Sequence, residues 1–81
     1  MDLTEAYRRL RLAEINATPM GRQELERRHG RVWDLRELAA EFVITAFMAP
    51  FVVVRRKVDG VVGSLEFQHL PRYYFGWQED A

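Results

Sequence analysis

The apolar positions of this chain change their period along its length, marking helices first and strands afterwards. Leu3, Ala6, Tyr7, Leu10 and Ala13 recur at helical spacing, which leaves Arg8, Arg9 and Arg11 largely toward solvent. Asp2 and Glu5 stand as a capping box ahead of them, while Asn16, Thr18 and Pro19 close the segment. The spacing therefore predicts a helix over 3–15. Thr18-Pro19 is also a start signal, a capping hydroxyl followed by proline at the first helical position. It predicts a short, exposed helix over 19–29, ended by Gly30. Asp34 and Glu37 form a second capping box, with Trp33 and Leu38 where a hydrophobic staple would close across it. The third helix is expected over 35–42, burying Leu35, Leu38, Ala39 and Phe42. The β-branched run Val43-Ile44-Thr45 then turns the chain to extended structure.

From Phe51 onward the period is two. Asp59-Gly60 favours a two-residue type I′ turn, which requires positive φ at both central positions. That turn sets Val58 opposite Val61, Arg56 opposite Gly63, Val54 opposite Leu65 and Val52 opposite Phe67. One face of the resulting hairpin, 51–58 with 61–68, is nearly all apolar. The other carries Phe51, Val53, Arg55 and Lys57 against Gln68, Glu66, Ser64 and Val62, and is expected to be half solvated. Arg56 falls on the apolar face and is expected to snorkel outward. Pro71 ends the second strand. Residues 72–77 supply another strand, with Tyr73, Phe75 and Trp77 on one face and Arg72 and Tyr74 on the other. Val43 to Phe47 supply a further one, bending at Met48-Ala49-Pro50.

The fold class that follows is α+β: two or three N-terminal helices packed on one face of a small antiparallel sheet centred on the 51–68 β-hairpin. The expected core is Tyr7, Leu10, Leu25, Trp33, Leu38, Phe42, Phe47, Val52, Val54, Leu65, Phe67 and Phe75. Eighty-one residues suit one domain over 1–81, with 78–81 as a mobile tail. A chain of this size buries roughly 60–65% of its extended surface, so its core is small.

Composition narrows the chemistry more than it identifies it. Twelve basic and twelve acidic residues leave no formal net charge, which argues against whole-molecule steering toward nucleic acid. The absence of cysteine excludes disulfides and thiolate chemistry and fits a cytoplasmic location. The first residues lack a signal-peptide pattern, and the apolar run from Ala46 to Val54 is interrupted by Pro50 and too short to span a membrane.

His29 precedes a C-cap, where a cationic side chain interacts favourably with the helix terminus. His69 lies in a turn and has the chemistry of a proton-transfer group, but Ser64 is too far along an extended strand to serve it as a nucleophile. No ligand spacing supports a metal, and no glycine-rich strand-to-helix junction supports a phosphate site. The expectation is a non-enzymatic protein-interaction or adaptor domain without a cofactor, acting on a protein partner or by self-association. Its motivation is an aromatic-rich last strand beside an open sheet edge. The candidate binding surface comprises Arg55, Lys57, His69, Arg72, Tyr74 and Trp77, residue types favoured at interfaces or beside a basic hairpin tip. The alternative is a winged-helix-like nucleic-acid-binding module. In it, helices 19–29 and 34–42 form the helix pair and the basic-tipped hairpin is the wing. Asp34, Glu37 and Glu41 on its recognition helix oppose that alternative, because they would face phosphates.

Overall fold

A computed structural model describes residues 4–80. Three helices, α1 (Glu5–Ala17), α2 (Arg22–His29) and α3 (Leu35–Glu41), pack on a five-stranded antiparallel sheet. Its strands are β1 (Val32–Trp33), β2 (Phe42–Met48), β3 (Phe51–Arg56), β4 (Val62–Gln68) and β5 (Tyr73–Glu79). The spatial order is β1-β5-β4-β3-β2: a meander of four strands, with the short β1 returning to the far side of β5.

The helix ends follow their local chemistry. Thr4 caps α1, its hydroxyl accepting from the Tyr7 amide at 3.3 Å, and the helix runs through Ala17 with Thr18 as its C-cap. The Asp2 cap and Leu3 lie outside the described residues. Thr18-Pro19 does not open α2, which starts after Gly21. Gln68 explains the delay: its side-chain oxygen accepts from the Met20 amide and its amide nitrogen donates to the Met20 carbonyl, both at 2.7 Å. Both Met20 backbone groups are thereby held by a side chain of β4 instead of by a helical turn. Gly30 ends α2 at φ 81°, donating to the Glu26 carbonyl at 2.9 Å.

At α3 the capping box is complete. The Glu37 amide donates to Asp34 Oδ1 at 2.8 Å, and the Asp34 amide donates to Glu37 Oε1 at 3.0 Å. Arg22 also meets Glu37, at 2.7 Å. Its hydrogen bond, followed by the Asp34 amide, lowers the Glu37 carboxyl to about 2 from an ordinary 4.5. A depressed carboxyl contributes stability that is complete above its unfolded-state value and disappears as pH falls through the folded one. Unfolding experiments are therefore expected to show stability declining between about pH 4.5 and about 2. Glu37→Gln should flatten that decline, and an unchanged pH slope would contradict the assignment.

Two apolar clusters occupy opposite faces of the sheet. Trp33, Leu38, Phe42, Val52, Val54, Leu65, Phe67 and Tyr74 form one; Ile15, Leu25, Val32 and Phe75 form the other. Consecutive strand residues point to opposite faces, and the pairs Val32/Trp33 and Tyr74/Phe75 each divide between the clusters. The helices thus do not all cover one face: α3 lies on the apolar face of the hairpin, α1 and α2 on the mixed face. That mixed face is covered because its polar groups find partners. Arg11 pairs with Glu66 at 2.7 Å, Gln68 holds Met20, and Tyr7 stacks on Phe51 with ring centroids 5.9 Å apart.

The inward face of α1 is accordingly Arg8, Arg11, Leu12 and Ile15, at positions i, i+3, i+4 and i+7. Tyr7 and Leu10, expected in the core, are 41% and 61% exposed. Leu35 and Phe47 are both 56% exposed, and Ala39 is exposed as well. Leu38 alone is buried from α3.

The hairpin keeps its faces but shifts its register. Val54 lies opposite Gly63 and Val52 opposite Leu65, two residues from the expected pairing. Arg56 and Val61 close a four-residue loop, with the Arg56 amide donating to the Val61 carbonyl and Gly60 donating to the Arg56 carbonyl, each at 2.8 Å. Only Gly60 has positive φ, 74°, so a type I′ turn is excluded. Asp59 instead accepts from the Val61 amide at 3.1 Å and pairs with Arg56 at 2.8 Å, a side-chain arrangement that stabilises the longer loop. A shift of two leaves every side chain on its original face.

One extra residue in β5 changes the last strand. Glu66 pairs with Phe75 but Ser64 pairs with Gln78, and Gly76 takes φ 69°, the geometry of a bulge opened by a left-handed glycine. Trp77 therefore joins the Tyr74 face instead of the Tyr73 and Phe75 face. Its ring packs against Phe42, centroids 5.1 Å apart. With that anchor β5 continues through Glu79, and the Asp80 amide donates to the Val62 carbonyl at 3.0 Å. Residues 78–80 are thus hydrogen-bonded to β4, where a mobile tail was expected; Ala81 lies outside the described residues.

Candidate interaction surfaces

The six residues of the sequence-derived binding surface divide between the two ends of the sheet. Arg55 and Lys57 lie at the end of β3 near the hairpin loop, and Trp77 lies beside Arg56, whose guanidinium carbon is 5.4 Å from its ring centroid. His69 and Arg72 occupy the β4–β5 turn, from which Tyr74 leads inward. Val62 and His69 are seven residues apart along β4 and its turn, roughly 20 Å at about 3.3 Å per residue. The groups do not converge on one patch.

Their side chains are also engaged differently. Lys57 donates through Nζ to the Ala39 carbonyl at 2.7 Å, satisfying an end group of α3. Arg55 is exposed on β3. Trp77 is partly buried within the monomer against Phe42 and over Gly63. Tyr74 is fully buried, so it shapes the surface from inside. Arg72 lies over the Phe67 ring at 4.9 Å, donates to the Tyr74 hydroxyl at 3.3 Å and meets His69 Nδ1 at 2.9 Å.

At the hairpin's basic tip Arg56 is paired with Asp59 and Lys57 is held on the Ala39 carbonyl, while Arg55 is exposed. The Arg56 bond and the Val61 amide lower the Asp59 carboxyl from its ordinary value. The helix pair required by the winged-helix reading is absent. Leu25 of α2 and Leu38 of α3 belong to clusters on opposite faces of the sheet, with β1 between the two helices in sequence. The recognition-helix geometry is not present among the described residues.

His29 stacks on Phe75 with centroids 4.5 Å apart, and burial lowers its pKa. A neutral, stacked ring suits packing. Ser64 is buried on β4, and His69 is exposed in its turn. Among the described residues no group of three or more His, Asp or Glu side chains is arranged to hold a metal ion.

Strand order supplies the feature that local pattern could not. β5, expected beside an open edge, is internal over its first half because β1 pairs with Phe75 and Tyr74. The long free edge is β2. Among the described residues it pairs only with β3, and its seven residues, Phe-Val-Ile-Thr-Ala-Phe-Met, carry no charge. In an antiparallel edge, alternate residues turn their peptide groups away from the sheet. Val43 is 37% exposed and Phe47 56%, one on either side of an irregularity at Thr45. The Thr45 hydroxyl donates to the Val53 carbonyl at 3.2 Å, which anchors that irregularity to the sheet. The irregularity at Thr45 thus divides an otherwise apolar, uncharged edge into two stretches, 42–44 and 46–48.

No described helix is long and apolar enough to cross a membrane. Compared with protein-family models, curated proteins and solved structures, the chain matches none.

Proposed function

We propose that this α+β domain is a non-enzymatic, cytoplasmic protein-interaction module that associates with a second copy of itself through β2. The observation that carries this reading is the seven-residue uncharged edge, whose one hydrogen-bonded neighbour among the described residues is β3. Proteins ordinarily protect such edges with charge, proline, bulges or a covering element, and this edge carries only the irregularity at Thr45, which leaves an uncharged stretch on either side for strand addition. A second β2 is a chemically matched occupant. Two antiparallel copies bring no like charges together, bury Val43 and Phe47 on both sides and extend the sheet to ten strands by symmetry. Balanced charge over the whole chain removes long-range repulsion between copies.

Val43→Lys tests the reading at a position that is 37% exposed. A lysine on the edge strand of each copy places charge within an uncharged contact and is expected to weaken self-association at least tenfold by sedimentation equilibrium. Ala46→Lys, beyond the irregularity, should do the same. Circular dichroism should show both variants folded. Association undiminished in both folded variants would exclude β2 as the contact, and a heterologous apolar strand binding in place of the second copy would change the assigned partner.

A further inference from the structure

At the end of the sheet that carries the two cis-proline turns, a cleft of about 510 Å³ opens between α1 and the strands. Leu12, Ala49, Phe67 and Leu70 give it apolar walls, and Asn16, His69 and Arg72 supply its polar groups. Its volume falls within the range of small-molecule sites.

Arg72 differs from most arginines in the chain. Arg9, Arg11, Arg22, Arg27, Arg28, Arg31 and Arg56 each pair with a carboxylate. The two that stack on tryptophan, Arg31 over Trp33 and Arg56 over Trp77, are therefore already neutralised by Glu41 and Asp59. Arg72 is half-buried, yet among the described residues it meets no carboxylate. Its Nη1 donates to the Tyr74 phenol, Nη2 meets His69, and the buried Nε has no partner. The Phe67 ring beneath it and the Tyr74 hydroxyl beside it fix the plane of the guanidinium.

Nε–H and Nη2–H form one side of the guanidinium fork, the side that matches the two oxygens of a carboxylate. Here one of those donors ends on an exposed imidazole and the other on nothing. A guanidinium only donates, so His69 Nδ1 accepts and its Nε2 carries the ring proton. His69 is exposed in its turn, so solvent is open to its ring.

We infer that this cleft binds a carboxylate on an apolar body, the carboxylate displacing His69 from the Nε/Nη2 side of Arg72 while the body lies against Leu12, Ala49, Phe67 and Leu70. A free apolar acid and the C-terminus of an apolar peptide share this chemistry. The inference does not rest on self-association, although Phe47 of β2 packs against the Phe67 ring of the cleft wall.

The test is a titration of the isotope-labelled full chain followed by amide chemical shifts. Its probes are 4-phenylbutyrate and 4-phenylbutyramide, and acetyl-Leu-Phe with a free or amidated terminus. Each acid is expected to shift residues 67–72 saturably and to bind at least tenfold more tightly than its amide. The tighter of the two acids identifies the source. Arg72→Gln should lose about tenfold, one charge-assisted contact, and Arg72→Lys should recover only part, lacking the fork. His69→Ala should bind at least as tightly as the parent, an outcome that a merely structural histidine would not give. Equal binding of acid and amide by the unmodified chain, or no saturable shift at residues 67–72 with any probe, would overturn the inference without reference to any variant.

Discussion

Gly63→Ala is expected to destabilise the domain by about 1–3 kcal/mol, at the upper end of that range for overpacking. A methyl group at Gly63 would come within 2.4 and 2.6 Å of two ring carbons of Trp77 and 2.6 Å of the Gln78 carbonyl oxygen. None of these neighbours yields easily. The indole is wedged against Phe42 and beneath Arg56, and the carbonyl belongs to a strand hydrogen-bonded to β4. Trp77→Ala alone should also destabilise, by less than the roughly 3–5 kcal/mol of a fully buried tryptophan, because the ring is only partly covered. The double variant separates the contacts. Removing the indole relieves two of the three clashes, so Gly63→Ala should cost at least 1 kcal/mol less in the Trp77→Ala background. Denaturant titrations of all four proteins measure the cycle. Strict additivity would show that the indole does not occupy the space above Gly63.

Leu38→Ala should have an equal or larger effect, about 2–5 kcal/mol. Leu38 is fully buried and is the only residue of α3 that is. A seven-residue helix has little stability of its own and depends on packing. The capping box fixes where α3 begins, but one leucine fixes it to the sheet. Against a total of roughly 4–12 kcal/mol for a chain of 81 residues, this substitution removes a large fraction. Asp34→Ala, which removes one half of the capping box, should cost only about 1 kcal/mol. Thermal unfolding of the two variants orders them, and a Leu38→Ala protein as stable as Asp34→Ala would contradict the packing of α3.

What could be read from the sequence was what its neighbours in sequence determine. The Asp34–Glu37 box, the Gly30 cap and the alternating faces of the hairpin are local, and each is present in the structure. The hairpin register was not legible because Asp59-Gly60 serves two loop geometries equally well; Asp59 bonding to Arg56 and the Val61 amide selects the longer one. Alternation protected the face assignment, since two residues of slip preserve parity. Gly76 was a usable signal, because an isolated glycine within a strand marks a bulge. Reading it would have placed Trp77 with Tyr74.

The inward face of α1 was missed for a different reason. Two of its members are arginines, and burial of Arg11 becomes favourable only because Glu66 meets it from a strand fifty-five residues away. The candidate surface suffered the same limitation. Arg55, Lys57 and Trp77 are close in character to His69, Arg72 and Tyr74 but lie at the other end of the sheet. That β2, and not β5, is the long free edge depends on strand order, which rests on β1 pairing across the molecule.

Amide hydrogen exchange of β2, measured on the unmodified chain at low and high protein concentration, tests the docking role of this edge most directly. Outward-facing amides within Phe42–Met48 should exchange rapidly when dilute and become protected as copies pair, while amides of β4 stay protected throughout. Equal, rapid exchange of the β2 edge at every concentration would show that no second copy adds to it.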